Sequence, residues 1–290
     1  MNLKTIENDF IRLSISNQGA EMKSLVSKKH SKEWLWQADP DFWPRTAPIL
    51  FPVVGKLVDN QYLYNDQPFP LSQHGFARDR IFDLEEGSAN QAKFKLVSDY
   101  ESRKFYPFDF ELHVGYNLAK NWVWIEYEVI NTGNHEMYFS IGGHPGFKLP
   151  GWPDKKYYIN FEEADELKPF LLDNGLLKSQ KDHPIEMTDK EILISESIFD
   201  KDALVLENLK STWVGVKSES NDHNLKVHFE GFPYLGLWSK PGAPFVCIEP
   251  WFGHADFEGL SGEISKKPAI LHLHPEQNFY CRYAVEILNF

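Results

Sequence analysis

Glu249 closes the run Phe245-Val246-Cys247-Ile248-Glu249-Pro250-Trp251, where a carboxylate ends an otherwise apolar, strand-like segment. Burial among apolar neighbours raises a carboxyl pKa toward neutrality, which suits a general acid or base working near pH 7. A strand-end Glu paired with a Lys or Arg is the plainer reading of the same residue. Two histidines are fenced by glycine: His74 in Gln73-His74-Gly75-Phe76-Ala77-Arg78-Asp79 and His144 in Ile141-Gly142-Gly143-His144-Pro145-Gly146-Phe147. Glycine beside histidine lets the backbone turn sharply and lets a ligand approach the ring, and Phe76 and Phe147 offer apolar walls. Imidazole also titrates near neutral pH. Either histidine alone reads equally well as a hydrogen-bonded loop residue; two such motifs in one chain favour a functional role.

The stretch Trp43-Pro44-Arg45-Thr46-Ala47-Pro48-Ile49-Leu50-Phe51-Pro52-Val53-Val54-Gly55-Lys56 carries prolines at 44, 48 and 52 and therefore cannot be an ordinary central strand. It is expected to form a shaped site wall, with Arg45 and Lys56 either donating to hydroxyls, balancing a phosphate, or lying over a rigid loop with their charges in water. Arg78 is a third such cation. His272 and His274 alternate in Leu271-His272-Leu273-His274 and would share one side of a strand, but no further metal-ligand spacing accompanies them, so a solvated face is expected. Asp200 and Asp202 raise the alternative of glycoside hydrolysis, which needs two carboxylates flanking one bond. The sequence contains no phosphate-cradling glycine loop, nucleophile elbow or paired CxxC motif.

The elements that must position these residues are strands. The chain has 290 residues, 42% hydrophobic and 25% charged, which is a folding composition and excludes disordered, collagen-like and coiled-coil classes. A formal charge of −12 has the wrong sign for a surface that neutralises phosphates, so no nucleic-acid partner is expected. The longest mostly apolar stretch, Ala47 to Val54, is broken by two prolines and is far short of the roughly 20 residues that cross a bilayer, so no membrane role is expected. The start, Met1 to Asp9, has two acids and no apolar h-region, so a secretory leader is not expected. Cys247 and Cys281 then read as small buried core residues in a reducing cytoplasm rather than as a disulfide. Aromatics reach 15%, with nine tryptophans, more than a core needs; flat rings serve against the apolar faces of sugars, and also simply fill large cores.

Period-two alternation recurs along nearly the whole chain, and no dozen-residue segment carries a clean 3.6-residue stripe. Ile11, Leu13 and Ile15 alternate ahead of a turn or bulge at Gly19. Leu112 to Leu118 and Val123 to Val129 form a hairpin about Ala119-Lys120-Asn121. Shorter strands are expected at Met137 to Ile141, Tyr157 to Phe161, Ala203 to Leu206, Trp213 to Val216, Leu225 to Phe229, Leu235 to Trp238, Phe245 to Glu249 (stopped by Pro250), Ile270 to Leu273 and Tyr280 to Leu288. Many short strands without helical intervals argue for an all-β sandwich or barrel with antiparallel sheets. No linker, low-complexity tract or repeat interrupts residues 1–290, so one domain is expected although the length alone suggests about two.

Taken in order, Arg45 with Pro48-Ile49-Leu50-Phe51-Pro52, Gln73-His74-Gly75-Phe76-Ala77-Arg78, Gly143-His144-Pro145-Gly146-Phe147, Asp202-Ala203-Leu204 and Cys247-Ile248-Glu249-Pro250-Trp251 resemble the aldose 1-epimerase (galactose mutarotase) superfamily, nearest its LacX-like branch. The resemblance runs from about Ile11 to the C-terminus. It implies an antiparallel β-supersandwich, a cleft for a pyranose that works without a cofactor or metal, and two histidines plus a glutamate at the chemistry. Glu249 matches the family's catalytic base, His144 the histidine that protonates the ring oxygen, and His74 the histidine that hydrogen-bonds the sugar. Asp200 or Asp202 fills the place of an aspartate that binds ring hydroxyls, with Asp202 nearer the branch pattern. Lys56 stands where better-studied members have the arginine of an Asn-Arg pair, so the sugar itself is left open. An aldose, a hexose phosphate bound through Arg45, Lys56 or Arg78, and a non-catalytic carbohydrate sensor are the readings carried forward. A small-molecule sugar is the partner implied, and a homodimer is left open.

Overall fold

The computed structural model describes residues 2–182 and 184–288. Among them the one α-helix is the four-residue Tyr100–Arg103, and no helix is long and apolar enough to cross a membrane. The rest is a nearly all-β architecture of antiparallel strand pairs. The widest sheet has nine strands in the order Glu191–Leu193, Tyr157–Phe161, Trp213–Ser218, Asn224–His228, Asn278–Ile287, Trp122–Asn131, Phe110–Ala119, Gln91–Val97 and Asp83–Gly87. A second runs Leu176–Lys181, Phe170–Asp173, Leu204–Glu207, Tyr234–Trp238, Phe245–Phe252, Ile141–Gly143 and Ile49–Leu50, with Gly146–Lys148 also paired to Phe245–Phe252. A four-stranded sheet is built from the N-terminal segments Leu3–Glu7, Ile11–Ser16, Met22–Ser27 and Lys32–Glu33. This is the antiparallel supersandwich that the sequence implied.

The hairpin is the clearest match between pattern and structure. Phe110–Ala119 and Trp122–Asn131 pair over ten positions, and the turn narrows to Lys120-Asn121 because Ala119 already faces Trp122. Inward-facing Leu112, Val114, Val123, Ile125 and Val129 are fully buried, and at about 25 cal/mol per Å² of apolar surface their burial is a principal source of stability. The same core takes Val246, Ile248, Leu235 and Leu237 from the second sheet, so the two sheets share one apolar layer.

The Phe245–Phe252 strand carries the carboxylate singled out from the sequence and lies between two apolar environments. Its even-numbered residues Val246 and Ile248 enter the shared core, whereas Phe245, Cys247 and Trp251 join smaller apolar clusters on the opposite face. Seven of its eight residues are buried, which is why it reads as a continuous apolar run rather than an alternating one. Glu249 points to the same face as Cys247 and Trp251, by the two-residue period of a strand.

The structure corrects two expectations. Pro250 does not end the strand, which continues to Phe252. The Ile248 N–H points to the Pro145 side, so position 250 faces that side too, where the neighbouring chain is interrupted between Gly143 and Gly146; the missing proline N–H therefore breaks no ladder bond. The expected strand Met137 to Ile141 is two strands in different sheets: Met137–Phe139 pairs with Leu271–Leu273, and Ile141–Gly143 with Phe252 and Trp251. The Ser140 N–H between them donates to the Pro52 carbonyl at 2.7 Å, so the chain changes partner at that residue.

Gly236 faces Glu249 across the sheet, and a Cβ added there would stand 2.4 Å from Cη2 of Trp251. Gly236→Ala is therefore expected to displace the indole and destabilise the protein by about 1–3 kcal/mol, as overpacking does. Chemical denaturation measures it; a variant as stable as the parent would show that the Trp251 ring is free to move.

Candidate functional site

The register of Phe245–Phe252 against its neighbour places Gly142 opposite Trp251 and Gly146 opposite Cys247. Three residues lie between the paired positions on each strand, so His144 stands across from Glu249. Their side chains meet, with His144 Nε2 3.2 Å from Glu249 Oε2. The glycines explain themselves in this setting. A Cβ at Gly142 would come 2.5 Å from the Trp251 ring, and one at Gly143 would come 2.5 Å from the Tyr283 hydroxyl of the nine-stranded sheet.

His74 arrives from a loop. Its φ of 66° and the φ of 69° at Gly75 fold the chain back on Phe51, whose carbonyl accepts from the N–H groups of Phe76 and Ala77. Gly75 is there because a Cβ would sit 2.2 Å from the Phe51 oxygen. Gly55 clamps the histidine twice: the His74 N–H donates to the Gly55 carbonyl at 2.9 Å, and the Gly55 N–H donates to His74 Nδ1 at 3.1 Å. With Nδ1 accepting, the proton of the neutral ring is on Nε2, which faces the Gln73 side-chain amide at 3.3 Å. The rings of His74 and His144 meet edge to face at 5.5 Å between centroids.

These groups share a cavity of about 320 Å³, at the lower end of ordinary small-ligand sites. Its wall also holds Arg78, Asp202, Gln73 and the rings of Trp43, Trp238 and Trp251. Trp43 stacks on the His144 imidazole at 4.9 Å and Trp238 meets its edge at 5.7 Å, fixing the ring's plane. Arg78 is tied by Nη2 to the Gln73 carbonyl at 2.6 Å. Glu249 Oε2, His144 Nδ1, Arg78 Nε and Trp251 Nε1 are buried without a hydrogen-bond partner among the described residues. Unmatched polar atoms are costly to bury, and four of them on residues around one cavity mark a place where a polar ligand completes the bonding.

Burial sets the protonation of the site. Glu249 is 1% exposed, and loss of hydration pushes its carboxyl well above the ordinary range; the nearby Asp202 charge adds to the rise and the Trp251 indole opposes it. Desolvation holds His144 below its ordinary value, with Arg78 and Arg45 pushing the same way. His74 is lowered chiefly by desolvation, then by His144, Arg78 and Arg45. Both shifts run toward the uncharged forms, a protonated carboxyl beside a neutral imidazole. Desolvation brings the Arg78 guanidinium down to about 10, so it stays charged at neutral pH.

Of the residues singled out from sequence, Glu249, His144, His74, Arg78 and Asp202 line the cavity, and Arg45, Lys56 and Asp200 do not. Arg45 Nη2 donates to Asp79 Oδ1 at 2.9 Å and reaches the histidines through its charge alone. Lys56 Nζ is taken by the Asn174 carbonyl at 2.9 Å. Asp200 is exposed, on the turn where its N–H donates to the Ser197 carbonyl. His272 and His274 lie elsewhere, within 3.5 Å and 3.4 Å of Glu136. Sequence reasoning included Trp43 in a site wall and quoted Gln73 and Trp251 within motifs without giving any of the three a role, and it passed over Trp238. The excess of tryptophan was the signal, but nothing local told a cavity ring from a core ring.

Residues 2–267 match the family model described as aldose 1-epimerase. The chain is 31% identical to the plasmid-encoded protein LacX of Lactococcus lactis subsp. lactis over 296 residues, covering 98% of this chain and 99% of that one. A galactose mutarotase related enzyme from Lactobacillus acidophilus superposes with a TM-score of 0.94 at 34% identity, covering 99% of this chain and 97% of the other. A galactose mutarotase-like protein from Lactobacillus casei gives 0.94 at 30%, covering 99% and 100%.

A pH dependence arises from the buried rings. The folded state resists protonation of His74 and His144, whereas the unfolded chain takes up those protons near pH 6.5. Their contribution to stability is complete above about pH 6.5 and is lost as the pH falls below it toward the folded-state values. Denaturant unfolding at a series of pH values between about 7 and 5 should show stability dropping, and His74→Gln should flatten the drop. An unchanged slope in that variant would mean that the ring is solvated.

Proposed function

Because the chain belongs to the aldose 1-epimerase family, we propose that it interconverts the α and β anomers of a pyranose, with Glu249 and His144 as the proton-transfer couple. The observation that carries this reading is the Glu249–His144 contact of 3.2 Å in a cavity sized for one small ligand. Anomer exchange needs the proton removed from the hydroxyl on C1 and another placed on the ring oxygen O5. The C1–O5 bond then breaks, the aldehyde turns about C1–C2, and the ring closes on the other face.

Glu249 as base and His144 as acid perform the opening from the charged form of the pair: carboxylate takes the O1 proton and imidazolium gives one to O5. After opening, the pair is a protonated carboxyl and a neutral imidazole. That is the form burial favours in the free site, so the pocket's electrostatics are matched to the open-chain aldehyde rather than to the cyclic sugar. The two forms hold the same number of protons, and a single transfer between the side chains connects them. His74, with its Nε2 proton and its ring fixed by Gly55, serves as a donor to the sugar, and Arg78 Nε and Asp202 are suited to ring hydroxyls.

Glu249→Gln is expected to keep the fold and lose at least 100-fold in catalysed mutarotation, the usual range for a positioned proton transfer being about 10²–10⁴. His144→Ala should fall in the same range and His74→Ala should lose less. Anomer exchange followed by NMR or polarimetry reads this; a Glu249→Gln rate equal to the parent's would remove the assignment.

The hexose-phosphate reading loses support from the fate of the cations. Arg45 and Lys56 are already engaged outside the cavity, and Asp202 with Glu249 adds carboxyl groups to a wall that has one guanidinium. A phosphate dianion favours several fixed donors. Glucose or galactose should therefore be turned over with kcat/KM at least tenfold above glucose 6-phosphate. The reverse order would favour the phosphate, and saturable binding of sugar with no rate enhancement would favour a sensor.

A further inference from the structure

Cys247 is fully buried in an apolar cluster, yet it also has polar neighbours. It stands two residues before Glu249 on the same face of the strand, and one donor atom from each of His144, Cys247 and Glu249 lies within 4.8 Å of the other two. We propose that these three residues form an inhibitory site for a borderline-soft divalent cation of the Zn²⁺ class. The inhibition rests on the mutarotase reading above; the binding does not.

The donor set carries the choice of ion. One imidazole nitrogen, one thiolate and one carboxylate suit zinc and its neighbours, whereas calcium and magnesium take all-oxygen cages. Two N or O ligands about 2.0–2.1 Å from a tetrahedral zinc are about 3.3 Å apart. His144 Nε2 and Glu249 Oε2 already stand 3.2 Å apart, and that carboxylate oxygen has no hydrogen-bond partner among the described residues. Stacking on Trp43 holds the imidazole in place. Three protein ligands leave a fourth position, and His144 and Glu249 both line the cavity, so it opens toward the sugar space. On binding, the thiol and carboxyl protons leave to solvent and both members of the proton-transfer couple are withdrawn. The metal then competes with the sugar for the same groups.

Titration of the full-length protein with Co²⁺ tests the site, because a thiolate ligand gives a charge-transfer band in the near ultraviolet and tetrahedral Co²⁺ absorbs strongly in the visible. The parent is expected to bind one equivalent with both features, to lose them to added Zn²⁺, and to lose catalysed mutarotation to Zn²⁺ in competition with sugar and reversibly on chelation. Cys247→Ala, with Cys247→Ser as a second variant should alanine unfold, is expected to keep mutarotation, lose the thiolate band and need at least tenfold more Zn²⁺ for the same inhibition. His272→Ala with His274→Ala should leave band and inhibition unchanged. A parent without the thiolate band, or a Cys247→Ala protein that keeps it or remains equally sensitive to Zn²⁺, overturns the proposal. The spectra decide the site even if the protein lacks mutarotase activity, so failure of the functional reading is seen separately.

Discussion

A carboxyl group fixed on the covered face of a strand, with no lysine or arginine paired to it among the described residues, is the constraint from which the site takes its form. Removing a carboxylate from water costs several kcal/mol unless a partner compensates, and the group Glu249 meets is His144, itself buried. Neither can hold a net charge cheaply in that setting. Desolvation of both groups pushes toward the neutral arrangement, with the proton on the carboxyl. This choice is a chemical asset in the proposed reaction: a pair that prefers neutrality favours the state in which the sugar ring is open, and the cyclic forms on either side draw on the same proton.

Where each group is mounted matters as much as its charge. Glu249 sits within a strand paired on both sides, and His144 stands across from it in the short gap between Ile141–Gly143 and Gly146–Lys148, where its N–H donates to the Pro48 carbonyl at 3.1 Å. His74 lies in a loop and Arg78 in the 3₁₀ turn Ala77–Asp79 that follows it, and this segment is pinned by bonds to Phe51, Gly55 and Gln73. Asp202 sits at a φ of 80° with its side chain accepting from the Ala203 N–H at 2.8 Å, a local turn that aims the carboxylate independently of the sheet. Glu249 is thus on the stiffest support, His144 is held between two short strands, and the groups expected to recognise hydroxyls are on segments that can change with less disturbance to the core.

What the sequence disclosed divides along the same line. Period-two alternation in Leu112 to Val129 gave the hairpin because one face of that pair is apolar and the other is not. The Phe245–Phe252 strand lacks that contrast, being covered on both faces, and its continuation through Pro250 depends on a gap in the neighbouring chain that no local pattern records. Fencing by glycine drew attention to His74 and His144 for a sound reason, since the glycines mark close approaches of backbone to Phe51, Trp251 and Tyr283. Arg45 and Lys56 were chosen as cations in a rigid segment, but the partners that take them out of the cavity, Asp79 and Asn174, are 34 and 118 residues away. Charge type is visible in a sequence; which charges have already found partners is a property of the fold.

The engagement of those two cations bears on selectivity. The cavity keeps one guanidinium, one exposed-loop carboxylate and a ring-lined wall, and within it the unmatched polar atoms of Arg78, Trp251 and Glu249 are spread among apolar surfaces. A neutral polyol with hydroxyls around its rim and apolar C–H patches on its faces meets such a surface without importing a charge that would need neutralising. A dianion would have to displace Asp79 from Arg45 or the Asn174 carbonyl from Lys56, giving up existing bonds to gain new ones. The electrostatics that keep the Glu249–His144 pair neutral would also be disturbed by a second negative charge nearby, which pulls the proton toward the pair and holds the glutamate back from acting as a base. Chemistry and recognition are therefore coupled through one quantity, the low net charge of the cavity, and a ligand that respects it is the kind this site is built to turn over.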